Sequence, residues 1–140
     1  MHTNSDNLET VAMNIERINV LVAEDNAVIR RIAVVNLSRF PVNIVLAKNG
    51  QEAIERFKET NFDLVLMDIA MPITDGCEAT KQIRELEKSA GKHVPIVAIT
   101  ASLDREACLN CGMDDHISKP ADYRRIMAKW FPDMTEGMSA

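Results

Sequence analysis

The sequence predicts an α/β fold, a doubly wound parallel sheet of five strands with helices on both faces. Three observations carry this. Apolar, β-branched runs recur at about 18–23, 42–47, 63–67, 94–99 and 115–118. The stretches between them place apolar residues at helical spacing. Several runs also end in acidic or hydroxyl residues: Glu24 and Asp25 after the first, Asp68 after the third, Thr100 after the fourth. Strand alternating with helix calls for a parallel sheet covered on both sides, and right-handed crossovers wind it in two directions.

Residues 1–17 read as an N-terminal tail or linker, with Leu8 to Ile18 able to form a helical lead-in. The globular domain is expected over 18–131. After the first strand, Val28, Ile32 and Val35 recur at i, i+4, i+7 with Arg30 and Arg31 outside, the pattern of a helix facing a core. The second helix follows Asn49-Gly50 with Ala53, Ile54 and Phe57 on one stripe, and Asn49 with Glu52 resembles a capping box. The third strand ends at Asp68, before a loop stopped by Pro72. Asp75 and Glu78 repeat the capping pattern ahead of the stripe Ala79, Ile83 and Leu86. Leu103 to Cys111 forms a shorter helix ended by Gly112. Tyr123, Ile126, Met127 and Trp130 make the last helix, stopped near Pro132, and 132–140 reads as a C-terminal tail.

With 140 residues, 46% hydrophobic and 26% charged, the chain can bury a core without staples. A formal net charge of -5 without any basic run argues against nucleic acid contact. No apolar run approaches the roughly 18 residues of a membrane span, and Met1 to Arg17 lacks the basic start and apolar stretch of a secretory signal. Three cysteines, an odd number, suit a reducing compartment better than a disulfide framework. The expectation is a cytoplasmic domain.

Ligands of doubly wound sheets sit outside the carboxyl ends of the strands. Glu24, Asp25, Asp68 and Thr100 all fall there. Three converging carboxylates repel one another unless a proton or cation intervenes, and an all-oxygen set suits a hard cation such as Mg²⁺. A carboxylate can attack phosphorus to give an acyl phosphate. Thr100 can then hydrogen-bond one phosphoryl oxygen, and Lys119, held by Pro120, can place a positive charge at another. Singly, each has a plainer reading: Asp25 as a helix cap, Thr100 as a strand-end residue, Asp68 as part of a turn.

As an ordered set, VLVAEDN at 20–26, DLVLMDIAMP at 63–72 with Asp75-Gly76, PIVAITA at 95–101 and GMDDHISKP at 112–120 closely resemble the receiver domains of two-component response regulators, particularly those fused to hybrid histidine kinases. The match spans about 18–131. The resemblance implies a flavodoxin-like strand order 2-1-3-4-5. It implies Asp68 as acceptor of phosphate from a phosphohistidine on a histidine kinase or histidine phosphotransfer protein. Glu24 and Asp25 would be the Mg²⁺-binding acidic pair, with the Ala70 backbone carbonyl as a further ligand. Thr100 would be the switch hydroxyl, Lys119 the phosphoryl-binding lysine with a cis bond to Pro120, and His116 would stand where an aromatic switch residue is usual. His116 also reads simply as a partly exposed strand residue. Thr100 to Lys119 and Pro120 to Trp130 are both shorter than in typical relatives, which trims the fourth and fifth helices.

Other features invite other readings. Cys108-Leu-Asn-Cys111 is a CxxC, but a structural zinc site needs four ligands, and the pair lies towards a helix end, so core or helix-surface cysteines are expected. Met67 and Met71 are read as packing, and Asp114-Asp115 as turn residues rather than a metal pair. A phosphorylation-independent docking module on the same fold would need none of Asp25, Asp68, Thr100 and Lys119. A flavin binder would need a phosphate-cradling loop where Glu24-Asp25-Asn26 stands, and an aspartyl phosphatase a second acid where Ala70 stands. The expectation is therefore a phosphoacceptor that assists its own phosphorylation and is not a turnover enzyme. The short stretch after Lys119 suggests either a stand-alone receiver or a piece of a hybrid kinase.

Overall fold

A computed structural model of the chain describes residues 17–101 and 105–135. Strands β1 (Ile18–Ala23), β2 (Val42–Ala47), β3 (Leu64–Met67), β4 (Ile96–Thr100) and β5 (Asp115–Ser118) form one parallel sheet in the order β2-β1-β3-β4-β5. Helices α1 (Ala27–Leu37), α2 (Gly50–Glu59), α3 (Gly76–Ala90), α4 (Arg105–Asn110), α5 (Tyr123–Trp130) and α6 (Pro132–Thr135) surround it. The expected lead-in over Leu8 to Ile18 falls almost wholly outside the described residues, and 102–104 and 136–140 lie outside them too.

The three inner strands are apolar along most of their length because both faces are covered, while edge strand β5, Asp115-His-Ile-Ser118, is mostly polar. Alternate residues serve opposite layers. Leu21, Ala23, Val65, Met67, Ile96 and Ala98 belong to one buried cluster with Ala53 and Ile54 of α2, Ala79 and Ile83 of α3 and Cys108 of α4. Val20, Val22, Leu64, Leu66, Val97 and Ile99 belong to the other, with Ala33 and Leu37 of α1 and Tyr123, Ile126 and Met127 of α5. Met67 and Met71 are buried in the first cluster, where packing is their evident role.

Four local expectations need correction. First, the apolar stripe of α1 was assigned to the core, yet Val28, Ile32 and Val35 are 67%, 48% and 60% exposed. The neighbouring stripe, with Ala33 and Leu37, meets the sheet instead. Second, Cys111 is not a plain core or helix-surface cysteine, although the odd cysteine count argued against disulfides. It forms a disulfide with Cys77 across 34 positions, with the two Cα atoms 5.3 Å apart, inside the usual range for a disulfide. Third, the capping boxes are incomplete. Asn49 and Asp75 each accept the N–H three residues on, at 2.8 Å, but the Glu52 carboxylate returns to the Lys48 N–H and Glu78 meets Gln82. Fourth, the chain resumes a helical turn at Pro132, a residue well suited to a first helical position.

Asp114 and Asp115 are ion-paired anchors rather than turn residues. Asp114 accepts from the Arg84 guanidinium at 2.7 Å and the Ile96 N–H at 2.8 Å. Asp115, 4% exposed, opens β5 and takes Lys129 of α5 at 2.6 Å and Arg105 of α4 at 2.9 Å. One carboxylate thus fastens both short helices to the edge strand. Burial works to raise its pKa, but Lys129, the His116 N–H and Arg105 outweigh it, and the carboxyl lies below the usual aspartate value of 3.8.

A folded-state pKa below the unfolded one contributes stability above the unfolded value and loses it as pH falls through the folded value. Asp115→Asn is expected to cost about 1–2 kcal/mol near pH 7, held to that by the solvent exposure of both cations. Urea unfolding should show the gap from the parent chain close as pH drops below about 4.

Candidate functional site

At the carboxyl edge the sheet ladder continues one residue past two central strands. The Glu24 N–H donates to the Ala47 carbonyl and the Asp68 N–H to the Ala23 carbonyl, both at 3.0 Å. The two side chains therefore leave from fixed backbone. Glu24 is 3% exposed and Asp68 2%, while Asp25 faces solvent. Carboxylate oxygens of all three lie within 4.8 Å of one another. Among the described residues this is the one such acidic or metal-ligating cluster.

The Lys119 ammonium lies between the two buried acids, 2.8 Å from Glu24 Oε1 and 2.9 Å from Asp68 Oδ2. The Lys119 backbone N–H donates to the Thr100 carbonyl at 2.9 Å, and the following Lys119–Pro120 peptide is cis. Asp68 Oδ1 accepts from the Ala70 N–H at 3.2 Å, and Glu24 Oε2 from the Asn26 N–H at 3.0 Å. Burial pushes the Glu24 pKa up, and Asp68 adds to it, against the pull of Lys119 and the Asn26 N–H. For Lys119 burial works downward, but its bonds to Glu24 and Asp68 outweigh it and the pKa rises. The two partners thus move the same way. Glu24 is the more deeply enclosed of the two, so desolvation wins there while pairing wins at the lysine.

The loop carrying Ala70 is pinned by backbone. The Gly76 N–H donates to the Ile69 carbonyl at 3.0 Å and the Gly50 N–H to the Thr74 carbonyl at 2.9 Å. A Cβ at Gly76 would collide with the Asp68 carbonyl, and one at Gly50 with the Thr74 carbonyl. Between these clamps Ile73 has φ 70°, left-handed backbone that is costly for a β-branched residue, with its side chain 82% exposed.

Of the residues singled out from sequence, Glu24, Asp25, Asp68 and Lys119 converge, and the Ala70 backbone borders them. Thr100, 2% exposed, closes β4 and is in register with Ser118, next to Lys119. His116 is half-buried and in register with Ala98, a step back along β5, where it lines a cavity of about 480 Å³ with Arg105 and Lys129. It does not belong to the acidic cluster.

Three contributors escaped the sequence reading. Asn26, rather than Asp25, caps α1, accepting the Val28 and Ile29 N–H groups at 2.9 and 3.1 Å. Arg30, placed on the outer face from spacing, donates to the Glu24 carbonyl at 2.8 Å. Tyr123 lies close enough for Glu24 to help burial raise its phenol pKa. An Asn directly before an apolar helical stretch is a capping signal that could have found the first.

An oxygen-only set with two buried carboxylates and one exposed suits a hard divalent cation. Without one, a single ammonium balances Glu24 and Asp68. Lys119→Met is expected to cost about 3–5 kcal/mol near pH 7.5, because two enclosed acids are left without that partner. Stability from a raised Glu24 pKa is present at low pH and lost as pH rises through the folded value. The deficit should therefore be smaller at pH 5 than at pH 7.5 in urea unfolding.

The model of the response regulator receiver domain family matches residues 20–130. The chain is 41% identical over 115 residues to hybrid signal transduction histidine kinase M of Dictyostelium discoideum, covering 78% of this chain and 5% of that protein. It is 35% identical over 130 residues to probable histidine kinase 4 of Oryza sativa subsp. japonica, covering 77% and 13%. The chain thus spans a small fraction of these curated relatives. Among solved structures, it resembles the Saccharomyces cerevisiae complex of the histidine phosphotransfer signaling protein Ypd1 with the receiver domain of the response regulator Ssk1. The TM-score is 0.75 at 34% identity, covering 88% of this chain and 95% of the matched one. It also resembles the receiver domain of sensor histidine kinase PA1611 from Pseudomonas aeruginosa, which has a magnesium ion in its active site cleft. There the TM-score is 0.73 at 34% identity, covering 82% and 98%.

Proposed function

Because this chain belongs to the response regulator receiver domain family, we propose that Asp68 accepts a phosphoryl group from a phosphohistidine on a histidine kinase or histidine phosphotransfer protein. The observation that carries this is the Glu24, Asp25 and Asp68 carboxylates gathered at one sheet edge, with the Lys119 ammonium already on Asp68. In the transfer an Asp68 carboxylate oxygen attacks phosphorus, the phosphorus–nitrogen bond breaks, and the imidazole departs with the bonding pair. An acyl phosphate results. Lys119 is placed to follow the negative charge from carboxylate to phosphoryl oxygen. The buried Thr100 stands at the adjacent strand end to receive another phosphoryl oxygen.

Glu24, Asp25, Asp68 and the Ala70 carbonyl are the groups that would hold Mg²⁺. When bound, the ion would neutralise charge between the acids and the incoming phosphoryl group. The ordered magnesium of the PA1611 receiver supports that choice of cation. The domain supplies acceptor and surroundings for one transfer and is not a turnover enzyme. Phosphorylation would bias a two-state arrangement of Thr100 and the β5 surface, with His116 in the position to respond.

The solvent-facing stripe of α1 supports a docking role. Val28, Ile32 and Val35 form an exposed apolar strip on the helix that leaves β1 directly after Glu24 and Asp25. Its occupant would be the phosphohistidine-bearing protein, a pairing that the Ypd1–Ssk1 complex exemplifies.

Intact mass after incubation with acetyl phosphate should rise by one phosphoryl group with Mg²⁺ present, and Asp68→Asn should take up none. Ile32→Glu should leave that reaction unchanged and slow transfer from a phosphorylated histidine phosphotransfer protein by about tenfold or more. No uptake by folded protein from either donor would overturn the acceptor reading and favour the docking module.

A further inference from the structure

The acceptor chemistry leaves the three cysteines unused. Their placement is uneven. Cys77 and Cys111 are half-buried and joined, whereas Cys108 is enclosed within the core and lies outside the disulfide. Cys77 stands in the first turn of α3, directly after the glycine packed on the Asp68 carbonyl. Cys111 directly follows α4, the short helix on the stretch of chain between Thr100 and Lys119.

The disulfide is one of three attachments along a single stripe of α3. Cys77, Thr80 and Arg84 recur at i, i+3, i+7. Thr80 and Arg84 border Gly112, and the Arg84 guanidinium donates to the Gly112 carbonyl at 2.9 Å and to Asp114 at 2.7 Å. Those two contacts hold the turn leading into β5 without help from sulfur. The disulfide adds a hold on the end of α4, a six-residue helix with one buried residue, Cys108. Breaking it leaves the two cysteines held close by the neighbouring contacts, so the bond can form again within the folded chain. Both cysteines are partly exposed, which leaves the pair open to attack by a small thiol or disulfide.

We propose that Cys77 and Cys111 are a thiol–disulfide exchange site that tightens or loosens the end of α4. The co-reactant is a low-molecular-weight disulfide of the glutathione class. One cysteine thiolate attacks it, a sulfur–sulfur bond forms, and one small thiolate leaves. The second cysteine thiolate attacks the mixed disulfide, closing Cys77–Cys111 and expelling the second small thiolate. The two cysteine protons end on the two released thiols, so two cysteines are oxidised as one small disulfide is reduced. The core position of Cys108 keeps it out of the exchange. The proposal rests on the cysteine geometry and goes beyond the acceptor reading, so it stands or falls apart from phosphate uptake.

The test equilibrates the full chain, folded, in glutathione buffers running from reduced to oxidised, then blocks thiols and weighs it. The expected result is a reversible loss of two hydrogens, mapped to a Cys77–Cys111 peptide and retained in Cys108→Ser. Amide exchange across 105–111 should be about tenfold faster in the reduced parent chain than in the oxidised one. Several results would overturn the proposal: glutathione adducts without the cross-link, a Cys108–Cys111 link in its place, a cross-link reduced only after unfolding, or equal exchange rates. Uptake from acetyl phosphate by the reduced form is scored separately and bears on the acceptor reading alone.

Discussion

The Lys119 ammonium, 2.8 Å from Glu24 and 2.9 Å from Asp68, is the contact around which the carboxyl edge of the sheet is organised. Two nearly buried carboxylates cannot share a cleft without a cation or a proton. The fold supplies the cation from β5, two strands away from β3 and three from β1. That requirement explains the rest of the edge. Backbone bonds to Ala23 and Ala47 hold the acids in place, and the lysine's own N–H is tied to Thr100. The remaining carboxylate oxygens are met by the Ala70 and Asn26 N–H groups.

The opposite edge handles charge differently. Arg84 reaches Glu87, Asp114 and two backbone carbonyls, so a single guanidinium settles the acids near the starts of β4 and β5 with paired hydrogen bonds. At that rim one guanidinium faces two acids and ties them to backbone carbonyls. The other rim gathers three carboxylates around one ammonium, one of them open to solvent, which is a reason to look for chemistry there rather than at the larger ion-pair network. Family membership agrees with that physical asymmetry, and the asymmetry would stand without it.

Much of this was legible in the sequence because burial on both faces leaves a plain signal. Leu64–Met67 and Ile96–Ile99 are apolar throughout, and the residues that follow them, Asp68 and Thr100, mark the rim. The α1 orientation was not legible. Val28, Ile32 and Val35 make one apolar stripe, but Ile29, Ala33 and Leu37 make another beside it, and periodicity alone cannot say which meets the sheet. The stripe with Ala33 and Leu37 packs into the core cluster that covers this face of the sheet. The Cys77–Cys111 pairing was illegible for another reason. The spacing of Cys108 and Cys111 draws attention to the nearby pair, while the true partner is 34 positions back and reachable only once α3 and α4 are packed. Arg30 escaped because a long side chain can turn back from an outward position, which helical spacing does not record.

The two glycine clamps on the loop after Asp68 bear on how this sequence can drift over generations. Main chain presses on main chain at Gly76 and at Gly50, so the acceptor's position depends on two glycines and their backbone contacts rather than on larger side chains around them. Outward-facing residues between the clamps, such as Ile73, can diverge while the carboxylate stays where it is. Lineages of such a chain can therefore vary the lip of the cleft, and whatever the lip touches, without disturbing the chemistry beneath it.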